Sequence, residues 1–201
     1  MPLLMLARHG ESTYNRANRF TGWLDVPLTD TGKREARAIA TKIAGYRIDA
    51  AYSSALRRTV DSLDIVLEEL HLQNIPVVHS WELNERHYGD LQGLDKAAAA
   101  KRFGDDIVHE WRRSYTTSPP NGESLQEAGI RILAFFQSRI FHDVLSGLNV
   151  LVVAHGNTIR AILKVLDKVT DKDIMDVGVA TGEVIVYEYD RSAAVVHKTF
   201  L

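Results

Sequence analysis

Short apolar runs alternate along the chain with stretches whose apolar residues recur at helical spacing. The apolar runs lie at residues 3–7, 50–52, 76–78 and 150–154, and each predicts a buried strand. Helical periodicity is found at residues 30–46, 56–70 and 125–145. Strands that alternate with helices predict an α/β fold, with a mostly parallel sheet covered by helices on both faces.

The flanking residues sharpen this prediction. Thr29 or Asp30 can cap the first long helix, and Ser124 with Glu127 has the form of a capping box at the start of the last one. Residues 183–189 and 195–200 predict a closing hairpin. No repeat or linker interrupts the pattern, so we expect a single domain over residues 1–201.

Residues 84–122 depart from the alternation. Residues 97–100 and 105–113 predict two short helices, and the stretch ends in two prolines, an asparagine and a glycine. A loop-and-helix insertion of this kind often forms a lid over a site.

Composition excludes several classes of function. Lys and Arg number 24 against 26 Asp and Glu, so no global charge points to nucleic acid or a membrane as partner. Cysteine is absent, which excludes disulfides, thiolate catalysis and cysteine-based metal sites. The apolar start lacks a basic region and meets Arg8 too soon for a signal peptide, and we expect a cytoplasmic protein.

Two apolar strands end in the same way. One leads into Arg8, His9 and a glycine, the other into His155 and a glycine. Ligands bind beyond the carboxyl ends of parallel strands, so both histidines reach one functional edge if the strands are neighbours. A single histidine there would more often be structural, but two in the same context favour a functional site.

The surrounding residues favour phosphoryl chemistry at His9. A neutral imidazole can attack phosphorus without a separate base, and arginines best neutralise the phosphoryl oxygens. Arg8 is adjacent, and Arg58 begins the helix after the second strand. Glu85 is the candidate acid and base, because it lies in a charged and aromatic cluster.

Two alternatives stay open on spacing alone. Glu11 or Glu82 could serve in place of Glu85. Two histidines and a carboxylate could also hold a metal, although no close histidine pairing occurs and Arg8 would repel a cation, so we expect no metal.

The chain resembles the histidine phosphatase superfamily in its Arg8-His9-Gly10-Glu11-Ser12 motif. Within that superfamily it resembles the short bacterial form of the 2,3-bisphosphoglycerate-dependent phosphoglycerate mutases. The narrower resemblance rests on Phe20-Thr21-Gly22-Trp23, Leu83-Asn-Glu-Arg-His-Tyr-Gly89, Trp111-Arg112-Arg113 and Ala154-His155-Gly156-Asn157 with Arg160.

The resemblance implies interconversion of 3-phosphoglycerate and 2-phosphoglycerate in glycolysis and gluconeogenesis, through a phosphohistidine at His9 that 2,3-bisphosphoglycerate primes, without metal. It implies that Arg8, Arg58 and His155 hold the transferring phosphoryl group while Glu85 moves the proton. It also implies a homodimer or higher homo-oligomer. The remaining pocket and substrate-binding residues that it implies are Ser12, Asn15, Thr21, Gly22, Tyr88, Lys96, Arg112, Arg113 and Asn157.

Two departures from longer family members concern closure of the site. The chain lacks their extra loop after Pro119-Pro120, and it stops at Leu201 without their polar tail. A site that closes poorly would lose its phosphoryl group to water more often. The competing functions are therefore a histidine phosphatase acting on small phosphate esters and, less favoured, a catalytically silent anion-binding domain.

Overall fold

The computed structural model describes residues 1–190 and 192–201. Its strands are β1 (Leu3–Arg8), β2 (Ala50–Ser54), β3 (Val77–Ser80), β4 (Val150–Ala154), β5 (Val184–Tyr189) and β6 (Val195–Phe200). Its helices are α1 (Thr13–Arg16), α2 (Asp30–Ile43), α3 (Arg57–Glu69), α4 (Lys96–Phe103), α5 (Asp105–Arg113), α6 (Leu125–Phe135), α7 (Phe141–Leu145) and α8 (Gly156–Leu166). No helix in the described part of the chain is long and apolar enough to cross a bilayer.

The six strands form one mixed sheet in the order β3-β2-β4-β1-β5-β6. The first four in this order run parallel to one another, whereas β5 and β6 form the antiparallel hairpin that the sequence predicts. Every residue of β4 is buried, as expected of a central parallel strand with both faces covered. The predicted fold class is confirmed.

A hydrophobic core lies on each face of the sheet. Helices α6 and α8 cover one face, and α2 and α3 cover the other. Burial of each leucine, isoleucine or valine in these layers contributes roughly 1.5–3 kcal/mol. The two layers fix the strand ends, and therefore the residues that follow them, in a rigid edge.

Local signals place most helix starts correctly. The Thr29 side chain accepts a hydrogen bond from the Gly32 amide at 3.0 Å, and Ser124 with Glu127 forms the predicted capping box. The first long helix ends at Ile43, three residues before the predicted limit at Tyr46.

Two helical predictions need correction. In α3, which lies within the periodic stretch at residues 56–70, the buried apolar residues are Leu63, Val66 and Leu67, whereas Val60 is only partly buried. Residues 125–145 do form one helical rod, but a π-helical turn at Phe136–Ile140 separates α6 from α7. Such a turn is rare and uses i→i+5 hydrogen bonds, which the pattern of apolar residues does not reveal.

The segment at residues 84–122 contains α4, which is longer than the predicted helix at residues 97–100, and α5, which has the predicted bounds. It has its own small core, formed by Phe20, Leu91, Ala99, Val108 and Trp111. Backbone hydrogen bonds join it to the loop after β1: the Phe20 amide donates to Leu94 and the Lys96 amide to Asn18. The insertion therefore packs beside the functional edge of the sheet.

Candidate active site

The ends of β1 and β4 bring the two histidines together. These strands are parallel neighbours with Arg8 opposite Ala154, so His9 and His155 leave the sheet side by side. Their ring centroids lie 5.0 Å apart at an interplanar angle of 67°. The expected shared edge is confirmed.

His9 is held as a neutral imidazole. Its Nδ1 lies 2.6 Å from the Gly10 carbonyl oxygen and donates to it, so Nε2 keeps its lone pair. Burial, followed by the charges of Arg58 and Arg8, lowers the pKa of His9 well below its ordinary value. Gly10 is required because a Cβ there would lie 2.0 Å from the backbone oxygen of Gly32.

His155 is fully buried and is positioned by a pair of hydroxyl groups. Its Nε2 lies 2.7 Å from the Ser54 Oγ, which in turn lies 2.6 Å from the Thr59 Oγ1. Burial, followed by Arg58 and His9, lowers the pKa of His155 well below its ordinary value. His155 is not among the side chains that line the cavity described below, so it supports the site beside His9.

Arg8 and Arg58 flank His9 at the floor of the cavity. The Arg8 Nη1 donates to the Val179 carbonyl at 2.6 Å, and within the described chain its buried Nε has no hydrogen-bond partner. Arg58 is 1% exposed and donates to the Gly22 carbonyl at 2.9 Å. Burial lowers the pKa of Arg58 to about 10, against the opposing effect of Glu85. Both guanidiniums remain charged at neutral pH.

The carboxylate of Glu85 packs against the N-terminal end of α8. Its Oε1 accepts a hydrogen bond from the Arg86 amide at 2.8 Å, and its Oε2 accepts a longer one, at 3.5 Å, from the Asn157 amide in the first turn of α8. The Trp23 Nε1 and an Arg131 Nη2 both donate to the Glu85 carbonyl, at 2.7 and 3.0 Å. The backbone of Glu85 is therefore fixed while its carboxylate faces the cavity.

His9, Arg8, Arg58 and Glu85 line one cavity of about 250 Å³ with strongly basic walls. They are four of the five residues expected to take part in phosphoryl transfer. Eight of the nine residues that the resemblance assigns to the pocket and substrate also line it, namely Asn15, Thr21, Gly22, Tyr88, Lys96, Arg112, Arg113 and Asn157. A small multiply charged anion matches this lining.

Burial and neighbouring charges lower the pKa of two of these side chains. Burial, followed by the Arg112 guanidinium, lowers the pKa of Lys96. Burial opposes ionisation of Tyr88, but the Arg86 charge and the hydrogen bonds from Arg86 and Asn157 together hold the pKa of Tyr88 below its usual range. The Tyr88 hydroxyl also accepts a hydrogen bond from the Asn157 Nδ2 at 3.1 Å. Positive charge therefore collects where Lys96, Arg112 and Arg113 of the 84–122 insertion line the cavity. This insertion is called the lid segment below, and its side of the cavity the lid end.

Ser12 is the exception among the expected pocket residues. It caps α1: the Asn15 amide donates to the Ser12 Oγ at 3.2 Å, and the Ser12 amide donates to the Asn15 Oδ1 at 3.0 Å. Ser12 does not line the cavity but orients Asn15, which does. The three-residue spacing of Ser12 and Asn15 is the signal that indicates a cap.

Three arginines absent from the expected site contribute to it. Arg19 and Arg160 line the cavity, and the fully buried Arg86 lies behind it with its guanidinium 4.6 Å from the Tyr88 ring. Arg160 falls three residues after Asn157 on α8, which is the helical spacing that places both on one face.

Comparison with known proteins gives a consistent family. The sequence profile of the histidine phosphatase superfamily (branch 1) matches residues 4–200. The chain is 46% identical to the 2,3-bisphosphoglycerate-dependent phosphoglycerate mutase of Parvibaculum lavamentivorans, over 99% of this chain and 96% of the relative. It is 41% identical to the 2,3-bisphosphoglycerate-dependent phosphoglycerate mutase 2 of Lactiplantibacillus plantarum, over 98% of each chain.

Solved structures agree on the fold. A mycobacterial glucosyl-3-phosphoglycerate phosphatase superposes with a TM-score of 0.85 at 24% identity, over 100% of this chain and 97% of that one. At this identity the likeness establishes the architecture and no more.

Proposed function

Because the chain belongs to the histidine phosphatase superfamily and, within it, to the 2,3-bisphosphoglycerate-dependent phosphoglycerate mutase family, we propose that it interconverts 3-phosphoglycerate and 2-phosphoglycerate. In this proposal His9 carries the phosphoryl group and 2,3-bisphosphoglycerate supplies the first one. The reaction serves glycolysis and gluconeogenesis.

The observation that carries the proposal is the presence of cations at both ends of one cavity. Arg8 and Arg58 lie beside His9, whereas Lys96, Arg112 and Arg113 come from the lid segment. Transfer to water requires only the first group. A mutase must also hold the carboxylate and second phosphate of phosphoglycerate while the first phosphoryl group is moved.

The same residues suit the bisphosphoglycerate primer. A molecule with two phosphates and a carboxylate needs charge compensation at both ends. The Arg8 Nε, which has no hydrogen-bond partner among the described residues, offers a donor at the transfer end. Arg8 and Arg58 would hold one phosphate, and Lys96, Arg112 and Arg113 the rest of the molecule. Asn15, Thr21, Gly22, Tyr88 and Asn157 would supply further contacts along the walls.

Phosphoryl transfer then follows from the geometry of His9. The Nε2 lone pair attacks phosphorus and forms the P–N bond as the bond from phosphorus to the substrate oxygen breaks. The proton stays on Nδ1 and remains hydrogen-bonded to the Gly10 carbonyl, which stabilises the positive charge that develops on the ring. Arg8 and Arg58, supported by His155, neutralise the charge on the phosphoryl oxygens.

Glu85 is the proposed acid and base. Its carboxyl group gives a proton to the leaving substrate oxygen and recovers one from the hydroxyl group that next attacks the phosphohistidine. The hydrogen bonds to its backbone carbonyl keep it in place between the transfer site and Tyr88. Positioning of this kind shortens the proton path without any metal.

We further propose that the chain acts as one domain over residues 1–201, in the cytoplasm, as a homodimer or higher homo-oligomer. This part of the proposal rests on the family. Light scattering coupled to size exclusion measures the assembly directly, and a monomeric mass at working concentration would contradict it.

The test of the proposed chemistry is His9→Ala. We expect loss of turnover and of label uptake from radiolabelled 2,3-bisphosphoglycerate, because no other side chain occupies the Nε2 position. His142→Ala, which alters an exposed histidine on α7, is the control and should label normally. Substantial mutase activity in His9→Ala would refute the mechanism.

A further inference from the structure

Arg160 is a buried cation whose hydrogen bonds go to neutral oxygen atoms. It is 3% exposed, and its guanidinium donates to the Asn157 Oδ1 at 2.7 Å. It also donates to the backbone carbonyls of Arg113 at 2.7 Å, Ile174 at 2.6 Å and Arg112 at 3.4 Å. Burying a charge without a counter-charge is costly, and the hydrogen bonds to these four oxygen atoms offset that cost. The four acceptors therefore indicate what Arg160 does.

Two of the four oxygen atoms belong to the C-terminal end of α5. The last carbonyls of a helix have no partner within it and carry the negative end of the helix dipole. Arg86, which is fully buried, donates to the next carbonyls in the same row, at Trp111 (2.7 Å) and Arg112 (3.2 Å). Two guanidiniums thus cap three consecutive carbonyls of α5.

The side chains of the last two residues of α5 are the lid cations of the cavity. Arg112 and Arg113 line it, while their carbonyls point to Arg160. At the same time Arg160 holds Asn157, in the first turn of the helix that follows His155. A single side chain therefore connects the transfer end of the cavity to its lid end.

We propose that Arg160 is a positioning residue that fixes the distance between the phosphoryl-transfer site and the substrate-gripping Arg112 and Arg113. The inference rests on the proposed mutase function, because only an enzyme that holds substrate at both ends needs this distance fixed. A guanidinium suits the task, since its planar array of donors reaches several acceptors at once. A lysine ammonium keeps the charge but cannot span them.

The test is a double-mutant cycle between Arg160→Lys and the pair Arg112→Ala/Arg113→Ala. For Arg160→Lys alone we expect kcat/KM for 3-phosphoglycerate conversion to fall roughly 10²-fold, the scale of a 1 Å misplacement. The final extent of label uptake at His9, measured at saturating 2,3-bisphosphoglycerate, should change little, because the substitution leaves His9, Arg8 and Arg58 in place. In the Arg112→Ala/Arg113→Ala background the same lysine substitution should cost less than about twofold, because its effect passes through the groups already removed.

Lys164→Met is the matched control. Lys164 lies about one turn after Arg160 on α8 and also donates to a carbonyl, that of Val169 at 2.9 Å, but it does not line the cavity. Its loss should leave kcat/KM at the wild-type value even if it lowers the melting temperature. Loss of conversion in the control would show that general weakening of α8 explains the effect, and would overturn the proposal.

Affinity for 3-phosphoglycerate, measured by titration calorimetry, separates this proposal from the proposed function. If the wild type binds 3-phosphoglycerate without converting it, the mutase function fails, and the same cycle in Kd still tests the link. Additive losses in the cycle would mean that Arg160 does not act through Arg112 and Arg113. Equal losses of conversion and of the final extent of label uptake at saturating primer would mean that it only supports the fold. Either result overturns the proposal.

Discussion

His9 and His155 are both buried beside two arginines, so unfolding at mildly acidic pH should take up protons that the folded protein excludes. Burial is the largest cause of the low pKa of each ring, and Arg58 adds to it. In the unfolded chain a histidine has a pKa of about 6.5. A histidine whose pKa is depressed in the folded state leaves the free energy of unfolding almost unchanged above about pH 6.5. Its cost then grows as pH falls toward the folded pKa.

The size of the effect follows from proton linkage. At about pH 5.5, one unit below the unfolded pKa, a ring that stays neutral in the fold lowers the free energy of unfolding by about 1.4 kcal/mol. Two such rings lower it by about 2.8 kcal/mol, whereas at about pH 7.5 both contributions are close to zero. Carboxylates also contribute to the pH dependence, but they contribute equally to wild type and variants and cancel in the comparison.

The assay is urea-induced unfolding at these two pH values for wild type, His9→Asn, His155→Asn and the double variant. Wild type should lose about 1.4 kcal/mol more than each single variant on going to the lower pH, and about twice that more than the double variant. His109→Gln, on the exposed surface of α5, is the control and should behave as wild type. An identical pH dependence in wild type and the double variant would refute the neutral-histidine site.

Three further predictions concern single side chains. Ser54→Ala leaves the His155 Nε2 buried without its partner and should cost about 1–3 kcal/mol in urea unfolding; a loss below about 0.5 kcal/mol would contradict the hydroxyl support. Glu85→Gln should lower kcat by roughly 10²–10⁴ with substrate affinity mostly intact, and a collapse of affinity in calorimetry would contradict its proton-transfer role. Arg112→Ala should reduce mutase activity more than phosphatase activity, and equal losses would count against the acceptor end of the cavity.

The shared histidine edge was predictable from local pattern on one condition, that the two strands are neighbours, and the structure meets it. Two apolar strands of similar composition, each followed by His-Gly, pair as parallel neighbours, and the carboxyl ends of parallel strands meet. The basic residues in the lid segment were predictable only through family resemblance. On composition alone, Arg112 and Arg113 are indistinguishable from a solvated pair at the end of an amphipathic helix.

The sequence did not reveal which backbone carbonyls the two buried arginines, Arg86 and Arg160, bind. Arg160 and Arg86 donate to carbonyls that lie 14 to 48 positions away along the chain, and every residue type presents the same carbonyl. No composition or spacing rule identifies such an acceptor. The Ser54–His155 contact is hidden for a related reason, because it joins two strand ends 101 positions apart.

The most direct test of the central claim follows 3-phosphoglycerate in one reaction with and without 2,3-bisphosphoglycerate, with chelator present, and measures 2-phosphoglycerate and free phosphate together. We expect 2-phosphoglycerate to form in a primer-dependent manner, with free phosphate a small fraction of turnover. Stoichiometric phosphate release without 2-phosphoglycerate would contradict the account and identify water as the acceptor.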